Sequence, residues 1–208
     1  MDWSLPIGFD RIDLWLDDRS VLPLPAEVDA ASVRRHKIKV STIDAALGEI
    51  HGAVETDWGL HLGDDEVMGD HFPEELPRLL AEEGVDVWSF PRYNVSAPGR
   101  YYAGEPLYPD LALRLFRRGK LAHPGRVHEG PVPLGPLRRA GSHIFHLDVL
   151  DRTRKEREAK WARYVEQGIV GESRDRGLPP WYYRQFAVPE GHGFEERDCE
   201  EGCALWSK

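Results

Sequence analysis

The stretch Trp58-Gly59-Leu60-His61-Leu62-Gly63-Asp64-Asp65-Glu66 decides how the chain is read. Trp58, Leu60 and Leu62 alternate with Gly59 and His61, the period of two that marks a strand. That strand runs into Gly63 and three consecutive acids. Like charges packed so closely repel unless a cation sits among them, and carboxylate oxygens are the ligands that Mg2+ and Mn2+ prefer. A solvated acidic turn leading into the next element accounts for the same residues.

Working outward, Ile12, Leu14 and Leu16 alternate in the same way and end in Asp17-Asp18-Arg19-Ser20. Between the two strands, Ser41 is placed to cap a helix reaching Val54, with Asp44 three residues on. Ile43, Leu47, Ile50 and Val54 then form one apolar stripe. Strand, helix, strand, with carboxylates after both strands, predicts a parallel α/β sheet that binds ligands outside the strand ends. Downstream, Pro73 suits the first turn of a helix, with Glu74 and Glu75 near its positive end. Leu76, Leu79 and Leu80 face inward along it and Gly84 stops it. Residues 85–90 read as another strand, 91–109 as a long loop rich in Pro, Gly and Tyr, and 111–116 as a further strand. A charged helix is expected over 151–167, closed by Gly168. The remainder, with Pro179-Pro180-Trp181-Tyr182-Tyr183, reads as irregular.

The 208 residues suffice for one ordinary domain. No apolar run approaches the roughly 20 residues that span a bilayer. Only two cysteines occur, Cys199 and Cys203, both near the C-terminus, which suits a reducing cytoplasm. The formal net charge of −9 argues against a nucleic-acid coat or a polybasic membrane anchor, and leaves a local basic groove open.

The segment from Glu55 to Glu66 resembles the part of family 2 glycosyltransferases in which a strand ends in an Asp-x-Asp motif, often followed by Glu. Asp65 matches the second Asp, and Gly63 stands where the family has the first, with Asp64 adjacent. Asp17-Asp18-Arg19-Ser20 resembles the family's Asp-Asp-x-Ser turn. Tyr108-Pro109-Asp110, Arg114-Leu115-Phe116-Arg117-Arg118, His128-Glu129 and Ile144-Phe145-His146 resemble a branch related to bacterial lipopolysaccharide-core sugar transferases. The likeness runs over roughly residues 5–165. The family has a strand and a helix before the Asp-Asp-x-Ser strand, whereas only residues 1–10 precede it here.

The resemblance implies a GT-A-like α/β fold, a mostly parallel sheet flanked by helices and lacking the usual first strand. It would occupy residues 1–168, with 169–208 as an extension packed on it. It implies transfer of a sugar from a nucleotide diphosphate donor, with a UDP-sugar the expected one, to an acceptor hydroxyl with inversion, using Mn2+ or Mg2+. Asp65, Glu66 and His146 are then the candidate metal ligands. Asp17, Asp18, Ser20, Asp64, Arg114, Arg117 and His128 are the candidates for the nucleotide sugar. Glu129 is the expected general base, with Asp110 the second choice. The acceptor is a bacterial glycan or, for a phage enzyme, a hydroxymethylated DNA base. A different class of reading is a non-catalytic scaffold of the same ancestry that binds a nucleotide, a glycan or a protein.

Overall fold

The computed structural model describes residues 11–17, 33–38, 43–104, 107–124, 130–153, 155, 156, 159, 162, 166 and 195–202. Asp18, Ser20, Ser41, His128, Glu129 and Gly168 lie outside them, as does the aromatic stretch 179–183. These residues divide into two compact units. One lies within Met1–Leu60, Glu82–Val87 and Leu115–Leu137, the other within His61–Ala81, Trp88–Arg114 and Arg138–Lys208.

In chain order the elements are β1 (Ile12–Asp17), β2 (Val33–Ile38), α1 (Leu47–Gly52), β3 (Trp58–Leu60) and β4 (Glu66–Met68). They continue with α2 (Phe72–Ala81), β5 (Val87–Ala97), β6 (Arg100–Tyr102), β7 (Asp110–Arg117) and β8 (Leu121–Ala122). The last are β9 (Val132–Pro133), β10 (Leu137–Arg139), β11 (Ile144–His146), α3 (Asp148–Asp151) and β12 (Glu196–Asp198).

In the first unit β1 and β2 run parallel, with Ile12 opposite Val33 and Asp17 opposite Ile38. The helix expected over 41–54 is a 3-10 turn, Ile43–Ala46, followed by the short α1. Its residues Gly48 and Gly52 are poor helix formers, each costing about 1 kcal/mol relative to alanine. β3 pairs antiparallel with the end of β7, Trp58 opposite Arg117 and Leu60 opposite Leu115. Arg117 lies over the Trp58 ring, 4.5 Å from its centroid, and its Nε is 3.6 Å from Asp86 Oδ1. β8 and β9 form a small antiparallel pair.

The second unit is built on a sheet in the order β12-β6-β5-β11-β4, with β7 and β10 also pairing with β5. β11 runs parallel to β5, while β4, β6 and β12 join by antiparallel pairing. The protein is therefore mixed α/β, rich in strands and poor in helices, and its sheet is mixed where a mostly parallel one was expected. The reason is the connections. Parallel neighbours need a crossover of a dozen or more residues, whereas β5 and β6 are joined by the two residues Pro98-Gly99. Gly99 takes a φ of +73°, which glycine adopts without a Cβ clash. The segment expected to be a loop over 91–109 is consequently mostly strand.

α2 begins one residue before Pro73 and buries Phe72, Leu76 and Leu79, with Leu80 half-buried. On one face of β5, Tyr93 and Val95 join Tyr101, Ala103, Phe145 and Leu147 in an apolar cluster. The charged helix expected over 151–167 starts later. Arg152 is extended after α3, and Thr153 opens a new turn with a capping box to Glu156. The described residues 155, 156, 159, 162 and 166 are helical. Among the described residues no helix is long and apolar enough to cross a membrane.

Candidate functional site

Strand register assembles a polar face in the second unit. Arg92 and Asn94 are two apart on β5 and so project to one side of the sheet. Asn94 is the register partner of His146 on β11, and His146 is in turn opposite Glu66 on β4. Asp110 and Arg114, four apart on β7, reach the same group.

Glu66 is its hub. The carboxylate is 2% exposed and accepts two parallel bonds from Arg114, Nε to Oε2 and Nη2 to Oε1, both 2.8 Å. Arg92 Nη1 donates to Oε1 at 2.9 Å, and the Gly63 amide donates to Oε2 at 3.0 Å. Arg92 also grips Asp110 Oδ2, through Nε at 2.9 Å and through Nη2. Burial by itself pushes the Glu66 carboxyl up, and the charges and hydrogen bonds of Arg114, then Arg92, outweigh it. The group is held well below the usual carboxylate range. Two carboxylates and two guanidiniums balance, which is the condition for keeping such charges out of water. Two guanidiniums thus supply, around Glu66, the positive charge expected from a cation.

Asp65 points the other way. Its Oδ1 is 3.6 Å from His146 Nε2, and its Oδ2 accepts from Arg152 Nη1 at 2.9 Å. The turn is fixed by the backbone: Glu66 N donates to Gly63 O, and Leu147 N donates to Asp65 O at 2.7 Å. Gly63 permits this approach. A Cβ there would stand 3.1 Å from Asp65 Oδ1, tighter than most such contacts, so glycine leaves room for the Asp65 carboxylate.

His146 is oriented from behind. Asn94, 1% exposed, donates from Nδ2 to the Leu107 carbonyl at 2.8 Å, which fixes its amide so that Oδ1 faces His146 Nδ1 at 2.8 Å. An amide oxygen only accepts, so Nδ1 carries a proton, and Nε2 is the ring atom turned toward Asp65. Locking the far nitrogen in this way is how metal-binding histidines are held. Asp148, Asp64 and Asp151 complete the surroundings, with Arg152 bonded to Asp148 Oδ1 and 3.6 Å from Asp64 Oδ2. Burial raises the Asp151 carboxyl, Arg152 pulls it down, and Asp65, Asp148 and Asp64 push it further up, so it ends above its ordinary value.

A second cluster ties the C-terminal segment to this unit. Glu201, 2% exposed at its side chain, accepts from the His71 and His143 amides, each at 2.8 Å, and pairs with His143 Nδ1 at 3.1 Å. His143 Nε2 meets Tyr108 Oη at 3.2 Å, and its ring stacks on Tyr93.

Of the residues singled out in sequence, Asp64, Asp65, Glu66, His146, Asp110 and Arg114 gather in the second unit. Asp17, the last residue of β1, and Arg117 belong to the first. Arg92, Asn94 and Glu201 are residues the sequence reading missed, while Arg152, one of the charges of the helix expected over 151–167, lies on extended backbone. The alternation Arg92-Tyr93-Asn94-Val95 carries the signal for the first two, a polar and an apolar face on one strand. Among the described residues no group of three or more His, Cys, Asp or Glu forms a metal cage. Compared with known protein families and with curated proteins, the chain matches none.

Proposed function

We propose that the chain is a sugar transferase of the GT-A type, a cytoplasmic enzyme whose nucleotide diphosphate donor is held through a divalent cation at Asp65 and His146. The observation that carries this reading is the Asp65 Oδ1 to His146 Nε2 separation of 3.6 Å, with Asn94 orienting the imidazole. Two donors this far apart can both reach one ion at about 2.1 Å. A carboxylate and an imidazole are ligands that Mn2+ accepts. Mg2+-like ions are commonly bound through one or two carboxylates plus substrate phosphates. When bound, the ion would neutralise charge on the departing diphosphate.

The chain's own groups divide the remaining work. Glu66 holds Arg92 and Arg114 beneath the turn and so positions Asp65. The acceptor hydroxyl oxygen forms a bond to the anomeric carbon as the bond from that carbon to the diphosphate oxygen breaks. The hydroxyl proton passes to a carboxylate, which the family resemblance assigns to Glu129. Asp110 is less suited, since its Oδ2 is already occupied by Arg92. Within the second unit the resemblance gives the rest of the donor to Asp64 and Arg114. UDP is the expected nucleotide and a glycan the expected acceptor, ahead of a modified DNA base because the net charge is −9.

The test is calorimetric titration of UDP, and then GDP and TDP, with Mn2+ and with EDTA, on wild type and Asp65→Asn. Nucleotide binding that requires both Mn2+ and Asp65 supports the donor site. No binding under any condition overturns it. Binding without turnover across UDP-sugars and glycan acceptors favours the non-catalytic scaffold.

A further inference from the structure

Glu201, His143 and Tyr108 form a chain of polar groups that runs outward through the second unit. The side chains of Glu201 and His143 are 2% and 11% exposed, whereas Tyr108 is half-buried, so the phenol is the member most open to solvent. Glu201 Oε2 meets His143 Nδ1 at 3.1 Å, and His143 Nε2 meets Tyr108 Oη at 3.2 Å. The backbone holds each member in place. The His71 and His143 amides donate to the Glu201 carboxylate, the Gly69 amide donates to the His143 carbonyl at 2.9 Å, and the Tyr108 amide donates to the Gly104 carbonyl at 3.0 Å.

Charge directs a proton along this chain. Burial pushes the Glu201 carboxyl up, and the hydrogen bonds of His143 and of the two amides outweigh it, so the group is ionised at neutral pH. A carboxylate only accepts, so Nδ1 carries a proton, and in the neutral ring Nε2 is the acceptor for the phenol. The His143 ring lies on Tyr93, 4.2 Å between centroids and 2° from parallel, and an aromatic face favours a positive charge beside it. An imidazolium formed here is thus stabilised from two sides. A nucleophile, a base within hydrogen-bond reach and a third group that orients the base are what attack by a hydroxyl requires.

The segment that carries Glu201 sets the kind of electrophile. Its strand β12 pairs with β6, whose Tyr101 ring is 4.8 Å from that of Tyr108. Residues 195–201 bring five carboxylates against two guanidiniums, Arg197 within the segment and Arg100 on β6, which pairs with Glu196 at 3.0 Å. Such a field repels phosphate esters and admits uncharged ones.

We propose that Tyr108 is a nucleophile that takes an acyl group from an uncharged ester, with His143 as its base and Glu201 positioning that base. Tyr108 Oη forms a bond to the ester's carbonyl carbon as its proton passes to His143 Nε2. The bond from that carbon to the leaving oxygen breaks, and Nε2 returns the proton to that oxygen. The products are an acyl ester on Tyr108 and a free alcohol or phenol. The step uses neither nucleotide nor metal ion, so it stands apart from the sugar-transfer reading.

The experiment mixes p-nitrophenyl acetate with excess protein, follows release of p-nitrophenol, and maps the acetyl group by mass spectrometry. In wild type the label is on Tyr108 ahead of the other tyrosines and the lysines. Tyr108→Phe keeps the packed ring and loses that label, so these two proteins decide the nucleophile by themselves. His143→Gln slows acetylation of Tyr108 roughly 100-fold, the scale of a lost general base. Imidazole added to His143→Ala restores part of the rate, which a structural role alone would not allow. Glu201→Gln slows the step about tenfold or more and changes the ring 15N shifts of His143, because the Nδ1–H preference is lost. Label on lysines with none on Tyr108 overturns the proposal. Acetylation of Tyr108 at the wild-type rate in His143→Gln overturns the role of the base. Phosphorylation of Tyr108 by p-nitrophenyl phosphate at a comparable rate overturns the choice of an uncharged substrate.

Discussion

Replacing Glu66 by Gln is the sharpest perturbation of the network beneath the site. The change keeps the side chain's size and removes one charge. It leaves Arg92 and Arg114 buried with only Asp110 to oppose them, where Glu66 now accepts three guanidinium bonds and one amide bond. A buried pair broken on one side costs about 3–5 kcal/mol, because an uncompensated charge remains. Against a total stability of about 5–15 kcal/mol this is a large fraction. For a chain of this size each kcal/mol moves Tm by roughly 2–4 °C, so a fall of about 6–20 °C follows. The assay is urea unfolding of both proteins at several pH values, with equal slopes required before midpoints are compared. The sign follows from the lowered Glu66 pKa. A carboxyl whose folded value lies below its unfolded value, about 4.3, stabilises fully above the latter. That stability fades as pH falls toward the folded value. The gap between wild type and Glu66→Gln is therefore complete at pH 7 and still present at pH 5, and it narrows in stronger acid. A loss below about 1 kcal/mol, or a gap indifferent to pH, would refute the reasoning.

Other substitutions test other links. Asn94→Leu removes the acceptor that holds His146 Nδ1–H and is expected to weaken Mn2+ binding by about 10- to 100-fold, read by electron paramagnetic resonance. Unchanged affinity would separate His146 from the cation. Glu201→Gln loses the charge on which His143 and two backbone amides converge, and faster hydrogen exchange at the His71 and His143 amides is the expected signature. Because the hydrogen bonds of His143 and His71 outweigh burial and lower the Glu201 pKa, the wild-type advantage at neutral pH shrinks as pH falls below about 4.3. Gly69→Ala should reproduce that exchange pattern, since a Cβ there would come within 2.2 Å of Glu201 Oε1. Normal protection in Gly69→Ala would show that the segment around Glu201 does not need this close approach.

The sequence was most legible where period and punctuation agreed. Trp58 to Leu60, Phe72 to Ala81 and Asp110 to Arg117 all lie within a residue or two of the elements their patterns announce. The failure fell on 91–109. There Pro91, Pro98, Gly99 and Gly104 outweighed the alternation of Arg92, Tyr93, Asn94 and Val95, although Pro98-Gly99 between Val95 and Tyr101 is itself a hairpin signal. Missing that hairpin hid the antiparallel share of the sheet. The acidic turn stood out in the sequence, but the partners of its carboxylates did not. Glu66 meets Arg92 and Arg114 and Asp65 meets His146, which lie 26, 48 and 80 residues beyond Glu66 in the chain. Arg152 reads as one charge of the helix expected over 151–167, whereas the chain is extended at that residue.

The central claim is that one divalent cation belongs between Asp65 Oδ1 and His146 Nε2. Crystals of the protein grown with Mn2+ and UDP, with anomalous diffraction recorded near the manganese edge, address it directly. The account predicts a single strong anomalous peak within about 2.0–2.4 Å of both atoms, with the diphosphate completing the shell. A peak elsewhere, or a manganese-free site beside bound UDP, would contradict it.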